Sequence, residues 1–316
     1  MRFFGVVFAF LICGNSKGQP GWTIVDSLYG QLPSSFHVYK SDSPEGSKPN
    51  IMYYVSVKLD EPGLIFTTDT TSHRRLTPQQ YFEKDDKPLL IVNAGFFSFA
   101  DNRNLNVVVK DGRLVAMNDQ ILRGRGRDSG YYLVPFFGTF GIRKNRRADI
   151  TWTYSDSLKR KLYASQVPVA FQRVKYPVFH KSELRKITGA HFSKWRVRSA
   201  VGGGPVLVQN GMVAISNEME RKFYGKAIED RHPRTAIGYT PDNRLIVFVC
   251  EGRSDSAAGL TLPQVANIMK ELGCFEALNL DGGGSSCLLV NGREVNTPSS
   301  KGLQRAVPSV FMIKRR

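Results

Sequence analysis

Acidic, hydroxyl and guanidinium side chains recur in this chain just after short apolar runs, where a strand would hand them to a loop. The densest case is Asn279-Leu-Asp-Gly-Gly-Gly-Ser-Ser286, in which Asp281 is followed by Gly282, Gly283, Gly284, Ser285 and Ser286. Three successive glycines strip one side of the turn of side chains, so a ligand or a second backbone can approach the main chain closely. A carboxylate beside bare amides and hydroxyls suits a sugar or a phosphate group, because the donors hold oxygens while the acid acts on the reacting atom. Alone, such a triplet would serve equally well as a hairpin corner. Its company argues for more. Glu251-Gly-Arg253 places an acid and a guanidinium together, and Arg234 opens Arg234-Thr-Ala-Ile-Gly238. Gly202-Gly-Gly-Pro205 contributes Gly203 and Gly204, Asn93 ends an apolar run, and Arg305 precedes the last one. Read by itself, Asn93 is as good a turn cap as an anchor for a substrate hydroxyl or a catalytic carboxylate.

Other chemistries find less support. The five histidines (37, 73, 180, 191 and 232) have no spacing that marks one as a base for a serine nucleophile, and the Gly-x-Ser-x-Gly elbow is absent. His232, beside Arg234, reads as a structural histidine. No zinc or other metal ligand set stands out, so no cofactor is expected; a divalent ion shared by Asp281 and Glu251 has nothing else to support it.

The elements that must position these residues are mostly strands. Residues 89–92, 206–208, 245–249 and 277–280 are apolar runs of strand length, each ending at one of the candidate residues or leading from one. Asp111-Gly112, Asn210-Gly211 and Asn291-Gly292 are hairpin signals. Residues 22–28, 36–39, 51–59, 64–68, 131–142, 150–154 and 309–313 read as further strands. Residues 261–272 form the clearest helix, with Thr261 as cap, Pro263 early, Leu262, Val265, Ile268, Met269 and Leu272 on one face, and Gly273 as the stop. A shorter helix starts at Thr77-Pro78. The expected fold class is α+β, a mixed, mainly antiparallel sheet core with a few helices packed on it. No internal period of solenoid length occurs.

The composition, 41% hydrophobic and 22% charged over 316 residues, is that of a globular chain able to bury a sizeable core. Arg2 precedes an apolar run over residues 3–12 and then a polar segment, the layout of a signal peptide spanning residues 1–18, too short for a transmembrane helix. The expectation is an exported protein, periplasmic or extracellular. Export would leave Cys250, Cys274 and Cys287, an odd number; all three read first as core residues, with a pairing of Cys274 as the minor alternative. Net charge is +17. Residues 123–198 hold 18 Lys or Arg against Asp128, Asp149, Asp156 and Glu183, so the excess is concentrated there. Such a field favours an anionic partner, while a solvated basic face is the plainer alternative. No nucleic-acid motif is visible, and nucleic acid is not an expected partner.

Taken together, Asn93-Ala-Gly-Phe-Phe97, Gly202-Gly-Gly-Pro-Val-Leu-Val208, Arg234-Thr-Ala-Ile-Gly238, Glu251-Gly-Arg253 with Ser256 and Gly259, and Asn279-Leu-Asp-Gly-Gly-Gly-Ser-Ser286 resemble the phosphodiester glycosidase family, in the same order from about residue 89 onward. Here Glu251 stands where the family's usual residue is Asp, and Cys287 where Thr is frequent. On this resemblance residues 89–316 are the catalytic domain with a basic insertion at about 143–198, and residues 19–88 are a strand-rich scaffold. The resemblance implies hydrolysis of the sugar–phosphate bond of a sugar 1-phosphodiester. Asp281 would be nucleophile or base, and Glu251 its partner or a sugar ligand. Arg234 and Arg253 would clamp the phosphate. Asn93 would hold a sugar hydroxyl, and Gly203, Gly204, Gly282, Gly283, Gly284, Ser285, Ser286 and Arg305 would complete the substrate surface. The substrate partner is then a phosphorylated sugar or anionic glycan. The competing class is a secreted, non-catalytic binder of anionic glycan or another polyanion.

Overall fold

A computed structural model describes residues 21–177 and 181–316 of the chain. The expected signal peptide, with Cys13, lies outside the described residues. Every strand pairing among the described residues is antiparallel, and the fold class is α+β.

The central layer is an eight-stranded sheet. Its order is Thr23–Ile24, His37–Ser41, Met52–Lys58, Arg244–Cys250, Arg234–Tyr239, Glu276–Asn279, Val206–Gln209 and Met212–Val213. Arg244–Cys250 is apolar at every position after its first because both of its faces are covered. Leu245, Val247 and Val249 point with Val55, Val57, Ile237 and Leu278 into the main core. Ile246, Phe248 and Cys250 point the other way, onto the helix Leu262–Glu271 through Val265, Ala266 and Met269. That helix starts where the sequence places it. Thr261 accepts from the Gln264 N–H while the Gln264 side chain returns to the Thr261 N–H, and Gly273 follows the last turn at φ +81°.

Two further sheets close the main core from the other side. A seven-stranded sheet runs Ser193–Lys194, Lys161–Ser165, Ala148–Asp156, Phe137–Ile142, Ser199–Gly202, Val108–Lys110 and Arg113–Ala116, and it contributes Phe140, Ile142, Ile150, Trp152 and Tyr154. A five-stranded sheet runs Arg293–Glu294, Leu288–Val290, Leu90–Asn93, Ser309–Arg315 and Leu64–Thr70, with Leu90, Val92, Leu288, Phe311 and Ile313 facing the core. The helix Pro78–Lys84, capped by Thr77, covers its outer face through Tyr81. Each large aliphatic or aromatic side chain taken out of water here contributes about 1.5–3 kcal/mol.

Some elements differ from the sequence reading. Residues 131–142 form two strands, Tyr132–Val134 and Phe137–Ile142, divided at Pro135, which has no N–H to continue a ladder. Residues 22–28 carry only a two-residue strand before a 3₁₀ turn, Asp26–Tyr29. The helices Lys181–Thr188 and Asn217–Glu220 were not anticipated. Residues 19–88 give strands to both the eight- and the five-stranded sheets, so the scaffold segment is built into the same core. The three cysteines are free and buried.

What the topology does for function is set by register. Arg234 pairs with Cys250, and Ala236 pairs with Asn279. The start of one strand and the ends of its two neighbours therefore lie at one edge of the sheet. Arg234, the loop after Cys250 and the loop after Asn279 meet there.

Candidate active site

Asp281 leaves the sheet edge on a tightly held backbone. Its N–H donates to the Ala94 carbonyl at 3.1 Å, and its carbonyl accepts from Asn93 Nδ2 at 2.7 Å. The loop then turns through a short 3₁₀ segment, Gly283–Ser285, with the Gly283 N–H on the Pro233 carbonyl at 2.8 Å. Gly283 has φ +61°, and a Cβ there would press on the Arg253 guanidinium at 3.1–3.4 Å. A Cβ on Gly284 would collide with the Arg305 guanidinium. Two cations thus lie close against the bare backbone of the glycines that follow the acid. Arg305 also reaches Ser285 Oγ at 3.4 Å.

These groups line one pocket of about 180 Å³. Its wall includes Phe96, Phe223, His232, Arg234, Arg253, Asp281, Gly282, Gly283, Gly284 and Arg305. Burial raises the Asp281 carboxyl to about 6, against the opposing pull of the Ser285 hydroxyl, Lys222, Arg305 and the Gly282 N–H, which donates to Oδ1 at 3.0 Å. Lys222 approaches from a second side. Its ammonium lies 3.7 Å from the Phe96 ring centre and 4.5 Å from that of Phe137, and bonds Asn106 Oδ1 at 3.2 Å. Burial lowers Lys222 to about 8, although Glu220 and Asp281 pull the other way. His232 Nδ1 is 3.3 Å from Arg253 Nη2. Burial and then the charges of Arg234 and Arg253 depress its pKa, so the neutral ring accepts from Arg253.

Of the residues singled out in the sequence, Asp281, Arg234, Arg253, Gly282, Gly283, Gly284 and Arg305 come together in this wall. The others are placed differently. Asn93 is fully buried: its Oδ1 accepts from Thr235 Oγ1 at 2.9 Å and the Cys287 N–H at 3.2 Å, while Nδ2 holds the Asp281 carbonyl. Its amide is spent inside the protein and is not turned to a sugar. Gly203 and Gly204 are also buried; their N–H groups donate to the carbonyls of Gly138 and Asn279 at 2.9 and 2.8 Å. They let strands approach, and a Cβ on Gly203 would strike the Asn279 carbonyl. Ser286 is buried under Thr235 at 3.1 Å.

Glu251 does not line the pocket. Its Oε1 accepts from the Thr297 N–H at 2.8 Å, and burial raises its pKa. The carboxylate pair expected from the sequence is therefore not a feature of this wall. Arg234 is 3% exposed and donates to the carbonyls of Leu260 and Asp230 at 2.9 and 2.6 Å, so much of its fork is committed to holding the loop. The sequence reading does not single out Phe96, Phe223 or Lys222, and it takes His232, which lines the pocket, for a structural histidine. Phe96 lay inside a quoted motif and His232 two residues from Arg234, whereas nothing local marks Lys222 or Phe223. Among the described residues no group of three His, Cys, Asp or Glu gathers to hold a metal ion, and no helix is long and apolar enough to cross a membrane.

Residues 138–314 match the family model for phosphodiester glycosidase, more than half of the chain and all of the basic segment 143–198. The chain belongs to that family. Among curated relatives, the N-acetylglucosamine-1-phosphodiester alpha-N-acetylglucosaminidase of Mus musculus is 26% identical over 207 residues, covering 66% of this chain and 32% of the mouse protein. The SPbeta prophage-derived uncharacterized protein YomE of Bacillus subtilis is 39% identical over 83 residues, 26% of this chain and 13% of that one. The chain thus spans about a third or less of the length of these relatives. Among solved structures, the catalytic domain of the zebrafish N-acetylglucosamine-1-phosphodiester alpha-N-acetylglucosaminidase superimposes with a TM-score of 0.60 at 20% identity, over 95% of this chain and 89% of that one. A hypothetical protein from Synechocystis gives 0.62 at 14% identity, over 94% and 64%. At such identities the likeness establishes the fold.

Proposed function

We propose that the protein is an exported hydrolase that splits the bond between the anomeric carbon and the phosphate oxygen of a sugar 1-phosphodiester, such as an N-acetylglucosamine 1-phosphodiester. The observation that carries this reading is the single carboxylate at pKa about 6 in a small pocket whose adjoining wall holds two guanidiniums against glycine backbone. A phosphate diester anion departs as a monoester without needing a proton, so one carboxylate suffices where ordinary glycoside hydrolysis uses two. Asp281 takes a proton from water as the water oxygen bonds to the anomeric carbon; the carbon–oxygen bond breaks, and its electron pair leaves on the phosphate. A base with a pKa near the working pH is well matched to that step. Arg253 and Arg305 hold the phosphate oxygens, because a guanidinium offers paired donors. His232 fixes Arg253, Asn93 fixes Asp281, and Phe96 and Phe223 supply apolar faces for one sugar ring. Arg234 holds the surrounding loops from within the wall through the Leu260 and Asp230 carbonyls, and Glu251 holds Thr297 outside it.

Sugar release from a soluble sugar 1-phosphodiester tests the reading. Asp281→Asn is expected to lower kcat by about 10²–10⁴-fold, with folding checked by circular dichroism. Near-full turnover in the folded variant removes Asp281 from the reaction. Attack by water in one step requires the released sugar to have the inverted anomeric configuration, read by proton NMR immediately after turnover; retention would instead make Asp281 the nucleophile.

A further inference from the structure

Two cavities, of about 520 and 450 Å³, lie on opposite faces of the strand Lys161–Ser165, the first against Leu162 and the second against Tyr163, and both reach Lys159. Neither contains the Asp281 pocket residues, and no acidic side chain lines either one. The first is lined by Lys144, Lys159, Lys161, Lys194, Arg196 and Arg198, the second by Lys181 and Arg185. We propose that this double recess binds a phosphate-bearing anionic polymer as an extended chain, apart from the catalytic pocket.

Its construction argues against a merely solvated face. Along residues 194–198, exposed Lys194, Arg196 and Arg198 alternate with buried Trp195 and Val197, so the cations emerge on one side about 6–7 Å apart. Trp195 is anchored from below, its N–H on Leu162 O at 3.0 Å and its Nε1 on Asp149 Oδ2 at 2.9 Å. The edge strand Ser193–Lys194 pairs with Lys161–Ser165, which sets Lys194 opposite Tyr163 and brings a second basic run, 159–161, into the same recess. Among the described residues, Lys144, Lys159, Lys161, Lys194 and Arg196 make no ion pair with an acid, and Arg198 reaches only exposed Asp111 at 3.5 Å. Clustered like charges strain the folded state unless an anion joins them.

The shape selects the partner. Two cavities that meet only at Lys159, across the two faces of one strand, can both be reached by a chain that bends over that end of the strand, whereas a flat bilayer surface cannot reach both. Stacking on nucleic-acid bases needs exposed rings, and the aromatic side chains of the recess, Tyr163, Phe192 and Trp195, are 9%, 3% and 6% exposed. What is left is repeated negative charge on a flexible backbone, which a polymer of phosphate groups carries at the highest density to match the clustered cations.

The test uses the full chain with long-chain inorganic polyphosphate as probe, and inorganic phosphate, single-stranded DNA and phosphatidylglycerol vesicles as comparisons. Polyphosphate is expected to bind at low salt and to weaken roughly 10–100-fold between about 50 and 200 mM salt. A Lys159→Glu, Lys194→Glu, Arg196→Glu triple variant should lose at least about tenfold in affinity with no fall in melting temperature, since it relieves like-charge repulsion at exposed positions. Its turnover of a small sugar 1-phosphodiester should match the wild type, which separates this site from the catalytic reading. Equal polymer binding by wild type and variant would overturn the proposal. So would polyphosphate binding no tighter than phosphate, or preference for DNA or vesicles.

Discussion

Burial lifts the Asp281 carboxyl to about 6 while four neighbours pull it down, and this has consequences for both rate and stability. In its proposed role as base, Asp281 must be deprotonated, so kcat/KM should fall about tenfold per pH unit below 6, as a pH–rate profile would show. For stability the sign runs the other way. The folded acid holds its proton more tightly than the unfolded one, so stability is lost as pH rises from about 4 to 6 and stays lost above, by up to about 3 kcal/mol. Asp281→Asn should therefore be slowed as above yet more stable than the wild type at pH 7, with the difference shrinking at pH 4; urea melts at both pH values measure it. Lys222 offers a finer check. Its charge favours the ionised Asp281, so Lys222→Met should shift the acid limb of the rate profile to higher pH, and an unmoved limb would show that the two groups are uncoupled.

Two glycine loops that look alike in sequence behave as different kinds of element. Around Gly203 the obstacle to a side chain is the Asn279 carbonyl, part of the sheet backbone, which cannot yield. Around Gly284 it is the tip of Arg305 together with Ser300 Oγ, which can move. Gly203→Ala should cost about 1–3 kcal/mol of stability or more, as at an overpacked core site. Gly284→Ala should fold normally but raise KM for the phosphodiester by displacing Arg305. Melting temperature and steady-state kinetics on the pair separate the roles. The short helix Asn217–Glu220 has its own importance. Fully buried Glu220 accepts from the Gly138 and Val206 N–H groups, Trp152 Nε1 and Ser216 Oγ at 2.5–3.2 Å. It ties the seven-stranded sheet to the eight-stranded one beside Lys222. Glu220→Ala would orphan several buried donors and should destabilise by about 3–5 kcal/mol, measured by chemical denaturation.

Over the whole molecule, chain ends distant in sequence are partners in space. Ser309–Arg315 lies between Leu90–Asn93 and Leu64–Thr70 in the five-stranded sheet, with Phe311 and Ile313 in the main core. A chain ending at residue 308 should consequently fail to fold, seen as insoluble protein or loss of cooperative melting; a cooperative melt would show that this strand is dispensable. The apolar strands around the Asp281 loop, the capped helix Leu262–Glu271 and the loop itself were legible in the sequence because alternation, caps and turn residues act over a few neighbouring positions, whereas the strands Lys161–Ser165 and Ser199–Gly202, lying in or beside the basic segment, were not. Pairing is not local in that way. Antiparallel register is what brought Arg234, Arg253 and Asp281 to one edge. Packing between sheets turned Asn93 inward and left Glu251 behind the pocket. It also brought Lys222 and Phe223 to the site from a segment with no motif of its own. The sequence by itself determined which residues could carry chemistry and which elements would present them. Only the tertiary structure decided which of them share a wall, because that depends on contacts between segments up to nearly two hundred residues apart, such as Asn93 with Asp281, that no local pattern encodes.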